Sequence, residues 1–114
     1  MARIVLIADP DHQLRQKVVL AFHSAGWHVL DVASGEAATG LVRALLRPID
    51  LVVTSVELSG KLSGRDVVQE VQRSSPTARA IYTAETADFD PQAEIFFAKP
   101  YDPLAMVSLA DGPG

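Results

Sequence analysis

Short apolar runs alternate along the chain with longer amphipathic segments. The run Ile4–Ala8 is largely β-branched and lies between Arg3 and Pro10, which is typical of a buried strand. Further runs of this kind are found at 27–33, 50–54, 78–83 and 95–98. The apolar pattern therefore predicts five short strands.

The segments between these runs carry apolar residues at helical spacing. Gly26 supplies a C-terminal stop for the first of them, and Ser34 is an N-cap candidate for the second. Pro103 suits the first position of a last helix, because the backbone N–H that it lacks is unpaired there in any case. The predicted helices are 11–25, one between Ser34 and Pro48, one after Gly64 that ends near Arg73, and one from Asp102 that ends before Gly112.

Strands that alternate with helices predict an α/β fold, with a parallel sheet covered by helices on both faces. At 114 residues, the chain is expected to form a single domain over residues 1–114. A net charge of -4 argues against nucleic acid as a partner. The apolar runs are too short for a membrane helix, and the first residues lack the pattern of a secretory signal. We therefore expect a cytoplasmic protein without membrane contact.

Polar residues end four of the five apolar runs. These residues are Asp9, Ser55, Thr83 and Lys99. In an open parallel sheet the carboxyl ends of the strands lie at one edge, where loops converge and ligands bind. The four residues are therefore predicted to form one composite site. Ser55 is unexpected in this group, since charge chemistry beside an ammonium would favour a carboxylate at its position.

The segments IVLIADPD, DLVVTSVELSGKLSGRDVV, AIYTAE and FFAKPYDP together resemble the receiver domain of bacterial response regulators. The resemblance covers nearly the whole chain and implies a flavodoxin-like, doubly wound (β/α)5 fold with a five-stranded sheet. The LSGKLSGRD stretch is most similar to receivers of hybrid sensor kinases. The family has a full fourth helix between Thr83 and Lys99, but this interval contains Pro91 and no sustained helical face. We expect that helix to be short or absent.

The resemblance also assigns roles to single residues. Receivers use two acids after the first strand and an Asp at the end of the third to hold Mg²⁺, and that Asp takes phosphate from histidine. Carried over by position, the acid pair falls on Ala8 and Asp9, the phosphoacceptor on Ser55, the hydroxyl that follows the phosphoryl group on Thr83, the phosphate-pairing ammonium on Lys99 before Pro100, and the aromatic switch residue on Phe96.

Two of the three carboxylates of that pocket are therefore missing. Mg²⁺ is usually held by one or two carboxylates with water and phosphate, and Asp9 alone is a poor anchor, so we expect Mg²⁺ binding to be weak or absent. A serine hydroxyl is a weak nucleophile without an adjacent base. Glu57 lies two residues after Ser55 and is a candidate to replace the lost charge. We expect Lys99 to pair permanently with Asp9 or with Glu57.

The resulting prediction is a degenerate pseudo-receiver that is not an enzyme. It would bind a histidine kinase, a phosphotransfer protein or a second copy of itself without turning over phosphate. One alternative is a working receiver that is phosphorylated on Asp9 or Glu57. Another is a small-anion binder that uses Thr83, Lys99 and backbone donors.

Overall fold

A parallel sheet forms the centre of the protein, whose structure is a computed structural model that describes residues 2–85 and 95–112. The strands are β1 (Ile4–Ala8), β2 (His28–Val32), β3 (Leu51–Ser55), β4 (Arg79–Ala84) and β5 (Phe96–Ala98). They pair in the order β2-β1-β3-β4-β5, and every pairing is parallel. The predicted five-stranded parallel sheet is confirmed.

The described part of the chain contains four helices, which are α1 (His12–Ser24), α2 (Gly35–Ala44), α3 (Gly64–Ser74) and α4 (Pro103–Asp111). The Ser34 hydroxyl caps α2 by accepting the backbone N–H of Ala37, as predicted, and Pro103 is the first residue of α4. The expectation of a short or absent fourth family helix concerns residues 86–94, which lie outside the described residues. None of the described helices is long and apolar enough to cross a membrane.

Side chains alternate between the two faces of the sheet, and each face has its own apolar core. On the α2/α3 face, one set of alternating strand residues is buried, which includes Leu6, Val52 and Ala80. On the opposite face, which α1 and α4 cover, the other set of alternating strand residues is buried together with side chains of the two helices. Its members include Val5, Ile7, Val53, Ile81, Phe22 and Met106. The position of a residue along its strand therefore decides on which face its side chain lies.

Trp27 holds α4 against α1 at the end of the sheet opposite to the strand-end residues. Its ring packs edge-on against Phe22, with the ring centroids 5.4 Å apart, and its indole N–H donates to Oδ1 of Asp111 at 2.9 Å. The Arg3 guanidinium lies over the indole and also pairs with Asp111. These contacts fix the relative position of the two helices.

Candidate functional site

The four polar strand-end residues lie on the same face of the sheet. Asp9, Ser55, Thr83 and Lys99 each lie two residues beyond a side chain of the α1/α4 core, so the alternation of the strands directs all four to that face. Ser55 and Thr83 are direct neighbours in the register of β3 and β4. The structure therefore places all four residues on one face, with Asp9 and Ser55 in contact with Lys99 and with Thr83 beside Ser55 in the sheet.

The Lys99 ammonium forms the centre of the site. Its Nζ lies 3.3 Å from Oδ2 and 3.5 Å from Oδ1 of Asp9, and 3.4 Å from Oγ of Ser55. The side chains of Lys99 and Asp9 are only 9% and 4% exposed. Burial of a lone charge is costly, and the ion pair offsets that cost. Of the two partners predicted for Lys99, the structure pairs it with Asp9.

Asp9 is also held from its other side. Its Oδ1 accepts the backbone N–H of Asp11 at 2.8 Å, and its carbonyl oxygen accepts Nη1 of Arg15 at 2.7 Å. The same guanidinium donates through Nε to Asp31 at 2.9 Å. The sequence reasoning missed Arg15, which reaches the site from the first turn of α1. Asp9 therefore has a fixed position in which both carboxylate oxygens are occupied.

Tyr101 borders this ion pair on the β5–α4 connection. Its ring packs against Phe97 with the centroids 5.8 Å apart. Burial raises the pKa of the Tyr101 phenol well above its usual range, and the negative charges of Asp9 and Asp11 raise it further. A neutral phenol therefore flanks the charged residues over the whole physiological pH range.

A cavity of about 310 Å³ opens beside Ser55 and Lys99. The charge of the cavity lining is negative. Glu57 and Glu85 line the cavity, and the positive charge of Lys99 is already compensated by Asp9. Glu57 reaches the cavity as expected, but it remains exposed, and the ion pair of Lys99 is made with Asp9. The lining residues are Pro10, Ser55, Glu57, Leu58, Ser59, Glu85 and Lys99.

Ala8 does not join the site. It is the last residue of β1, two residues after Leu6, so its side chain lies on the α2/α3 face, where it is buried. Pro10 lines the cavity in its place. Of the acid pair that the resemblance places on Ala8 and Asp9, this chain keeps only the second acid, and Ala8 is not among the residues that line the cavity. Sequence reasoning missed Pro10, although it is the next residue after Asp9 and lies beyond the last pairing of the strand.

Three other predicted residues occupy different environments. Thr83 is buried, and among the described residues its Oγ1 has no hydrogen-bond partner. Pro100 is exposed and follows Lys99 through a cis peptide bond. Phe96 is half-buried and packs against the α2/α3 core, on the face opposite to Lys99. The structure therefore places Phe96 outside the cluster around Lys99.

Comparison with solved structures relates this geometry to known proteins. A response regulator receiver protein from Sinorhizobium medicae superimposes with a TM-score of 0.79 at 22% identity, over 94% of this chain and 90% of that chain. A CheY-like receiver domain from Methanospirillum hungatei gives a TM-score of 0.82 at 14% identity, over 96% and 91%. The receiver domain of the hybrid histidine kinase CckA gives 0.81 at 20% identity, over 94% of both chains.

This chain has the fold of a response regulator receiver domain. The predicted flavodoxin-like class is thereby confirmed. No protein-family model matches the sequence, and the comparison with curated proteins gives no match either. The likeness to known receivers is therefore one of fold.

The residues at the site of this receiver fold do not suit a metal ion. Neither Ala8 nor Pro10 has a side-chain oxygen, and the carboxylate of Asp9 is engaged by Lys99 and by the N–H of Asp11. Within residues 2–85 and 95–112 there is no group of three or more His, Cys, Asp or Glu that could hold a metal ion. The one carboxylate that the resemblance assigns to Mg²⁺ and that this chain keeps is therefore already engaged within the protein.

Proposed function

We propose that this protein is an atypical receiver module of two-component signalling, which is not phosphorylated at Ser55 and acts by binding a protein partner. The observation that carries this proposal is the ion pair of Lys99 with Asp9 beside the hydroxyl of Ser55. In this arrangement the ammonium is already neutralised by a residue of the chain itself. A phosphoryl group is not needed to complete it.

The chemistry of Ser55 supports the same proposal. An acyl phosphate requires a carboxylate, which the position lacks. A serine hydroxyl would need a neighbouring base to attack phosphorus, whereas the Lys99 ammonium donates a hydrogen bond to Ser55 Oγ. Transfer of a phosphoryl group also depends on a metal ion to neutralise developing charge. Neither requirement is met by the residues present.

A groove between α1 and α4 supports the binding role. Two leucines beside it, Leu20 and Leu104, are 65% and 66% exposed. Such a concentration of exposed apolar side chains is typical of a protein contact. We propose that a helical histidine kinase or phosphotransfer protein docks here, with acidic residues opposite Lys17. The groove, of about 380 Å³, is lined by Lys17, Leu20, Ala21, Ser24, Pro103 and Leu104.

The second candidate function is that of a receiver phosphorylated on a carboxylate other than the usual one, and the structure favours one residue for it. Glu57 is exposed and lines the cavity, so a phosphodonor has access to it. Asp9 is buried, and both of its carboxylate oxygens have partners. If the module is phosphorylated at all, we therefore propose Glu57 as the acceptor. Anion binding without chemistry is disfavoured, because Glu57 and Glu85 would face the anion.

Intact-mass measurement after incubation with acetyl phosphate and Mg²⁺ tests the proposal. The wild-type mass is expected to stay unchanged. A stoichiometric gain of one phosphoryl group would contradict it. A group that resists hydroxylamine would be a serine phosphate, and a group that hydroxylamine removes would be an acyl phosphate on a carboxylate. The matched variant Glu57→Gln then identifies the acceptor, since loss of the gain in this variant assigns it to Glu57.

Partner binding is tested separately. Leu20→Asp and Leu104→Asp place a charge in the groove without touching the cavity, and both positions are exposed enough to tolerate it. Each variant is expected to lose at least about tenfold in affinity for the cognate kinase or phosphotransfer protein, with the fold intact by circular dichroism. Leu46→Asp, at a fully exposed leucine outside the groove, is the control. Equal affinity of all three variants would contradict docking at this face.

A further inference from the structure

The connection between β3 and α3 forms one wall of the cavity. Glu57, Leu58 and Ser59 of this segment line it. The backbone N–H of Val56 starts the segment by donating to the carbonyl of Thr83 at 2.8 Å. Further along, Ser59 forms an isolated parallel bridge with Ser34, the N-cap residue of α2. The wall of the cavity is therefore attached to the start of α2.

A carboxylate of α2 strengthens this attachment. Oε2 of Glu36 accepts the backbone N–H of Lys61 at 2.9 Å. The pKa of Glu36 is lowered, first by this hydrogen bond and then by the backbone N–H groups of Glu36 itself and of Leu62. The negative charge also lies in the first turn of its helix, where the helix dipole favours it.

The backbone of the connection fits closely around this carboxylate. Gly60 has a φ of +90°, in the left-handed region that favours glycine. A Cβ on Gly60 would lie 2.6 Å from Oε1 of Glu36, and a Cβ on Gly35 would lie 2.6 Å from Cβ of Leu62. Gly35 is thus required for α2 and the connection to approach each other this closely, and at Gly60 the positive φ favours glycine while a Cβ would displace the carboxylate.

We propose that Glu36 is a positioning residue that fixes the cavity wall by holding the 60–62 backbone from the N-terminus of α2. Its carboxylate is exposed and lies outside the cavity lining. A change at the start of α2 would therefore alter the positions of Glu57 and Ser59 without direct contact with either. This role concerns the shape of the cavity and does not depend on whether the protein is phosphorylated.

Amide hydrogen exchange, followed by NMR on the full chain, tests the inference. In Glu36→Ala the Lys61 amide is expected to exchange at least about tenfold faster than in wild type, and the amide signals of Glu57 and Ser59 are expected to move. Glu36→Gln keeps an acceptor oxygen and should recover part of the protection. Unchanged Lys61 exchange in Glu36→Ala would overturn the inference.

Glu70→Gln is the matched control for this experiment. Glu70 is a carboxylate of α3 that pairs with Arg43 at 3.1 Å and with Arg73 at 3.5 Å, away from the cavity. Its replacement is expected to leave Lys61, Glu57 and Ser59 unchanged. If Glu70→Gln moved the same signals as Glu36→Ala, the effect would be a general loosening of the fold, and the positioning role would be refuted.

A double-variant comparison provides an independent test. Gly60→Ala adds strain at a positive φ, and in wild type it also displaces the Glu36 carboxylate. In a Glu36→Ala background only the strain remains. We expect Gly60→Ala to lower the melting temperature more in wild type than in Glu36→Ala. An equal loss in both backgrounds would show that the carboxylate does not hold the loop in solution.

Discussion

Nζ of Lys99 and Oδ2 of Asp9 lie 3.3 Å apart in the buried part of the strand-end site. This ion pair joins the ends of β5 and β1, which have the two strands β3 and β4 between them in the sheet. Because both side chains are almost fully buried, each depends on the other for compensation of its charge. The resting site is thus electrostatically complete without a ligand.

Breaking this ion pair from one side should be strongly destabilising. Lys99→Met leaves the Asp9 carboxylate buried without its counter-charge, at a cost of about 3 to 5 kcal/mol in the free energy of unfolding. The double variant Asp9→Asn/Lys99→Met removes both charges and should recover much of that loss. Urea denaturation measures both values. A loss below about 1 kcal/mol in Lys99→Met would mean that the pair is open to water.

Replacing Thr83 should not lower the free energy of unfolding, in contrast to breaking the ion pair. Its Oγ1 is buried without a partner among the described residues, so the native state bears the cost of desolvating the hydroxyl. Thr83→Val keeps the shape and removes that cost, and it should be neutral or stabilising by about 1 kcal/mol. Chemical denaturation of the two proteins side by side gives the difference. A destabilisation of similar size would show that the hydroxyl has a partner in solution.

The raised pKa of Tyr101 predicts how the stability of the protein changes in alkaline solution. Its folded pKa is raised above the unfolded value of about 10, so the folded state binds the phenolic proton more tightly. The resulting contribution is complete below pH of about 10 and is lost as the pH rises through the folded pKa. Wild type should therefore lose more stability than Tyr101→Phe when the pH is raised from 8 to about 11. Parallel stability curves for the two proteins would contradict the raised pKa.

Restoring carboxylates should restore a metal site only where the geometry allows it. In Pro10→Asp/Ser55→Asp both substituted positions line the cavity, and calorimetry should detect tighter Mg²⁺ binding than in wild type. Ala8→Asp/Ser55→Asp is the matched comparison, because residue 8 lies on the α2/α3 face. Tighter Mg²⁺ binding by the Ala8 variant would show that the first acid position had been assigned correctly from the sequence.

Much of the fold could be predicted because apolar runs and helical spacing report directly on burial. The strand endings were enough to predict that Asp9, Ser55, Thr83 and Lys99 share one face, since alternation and parallel pairing place them there. The run predicted as 27–33 is shorter in the structure, where β2 is His28–Val32 and Trp27 packs in the core instead. Apolar character alone does not distinguish a strand residue from a core residue beside it.

The remaining features of the site depend on backbone paths that local patterns do not encode. Asp9 and Glu57 were equivalent partners for Lys99 by charge, and only the course of the chain after β1 and β3 decides between them. Pro10 lies beyond the regular alternation of its strand, so period-two reasoning did not reach it. The contact of Glu36 with Lys61 joins the first turn of α2 to the β3–α3 connection, 25 residues further along the chain, and has no local signature.

The most direct test of the central claim is the mass of the intact protein after exposure to acetyl phosphate and Mg²⁺. Because Ser55 offers no carboxylate and Asp9 is already paired with Lys99, the account predicts that the mass of 12.2 kDa is unchanged. The appearance of one phosphoryl group on every molecule, bound at a residue of this cavity, would contradict it.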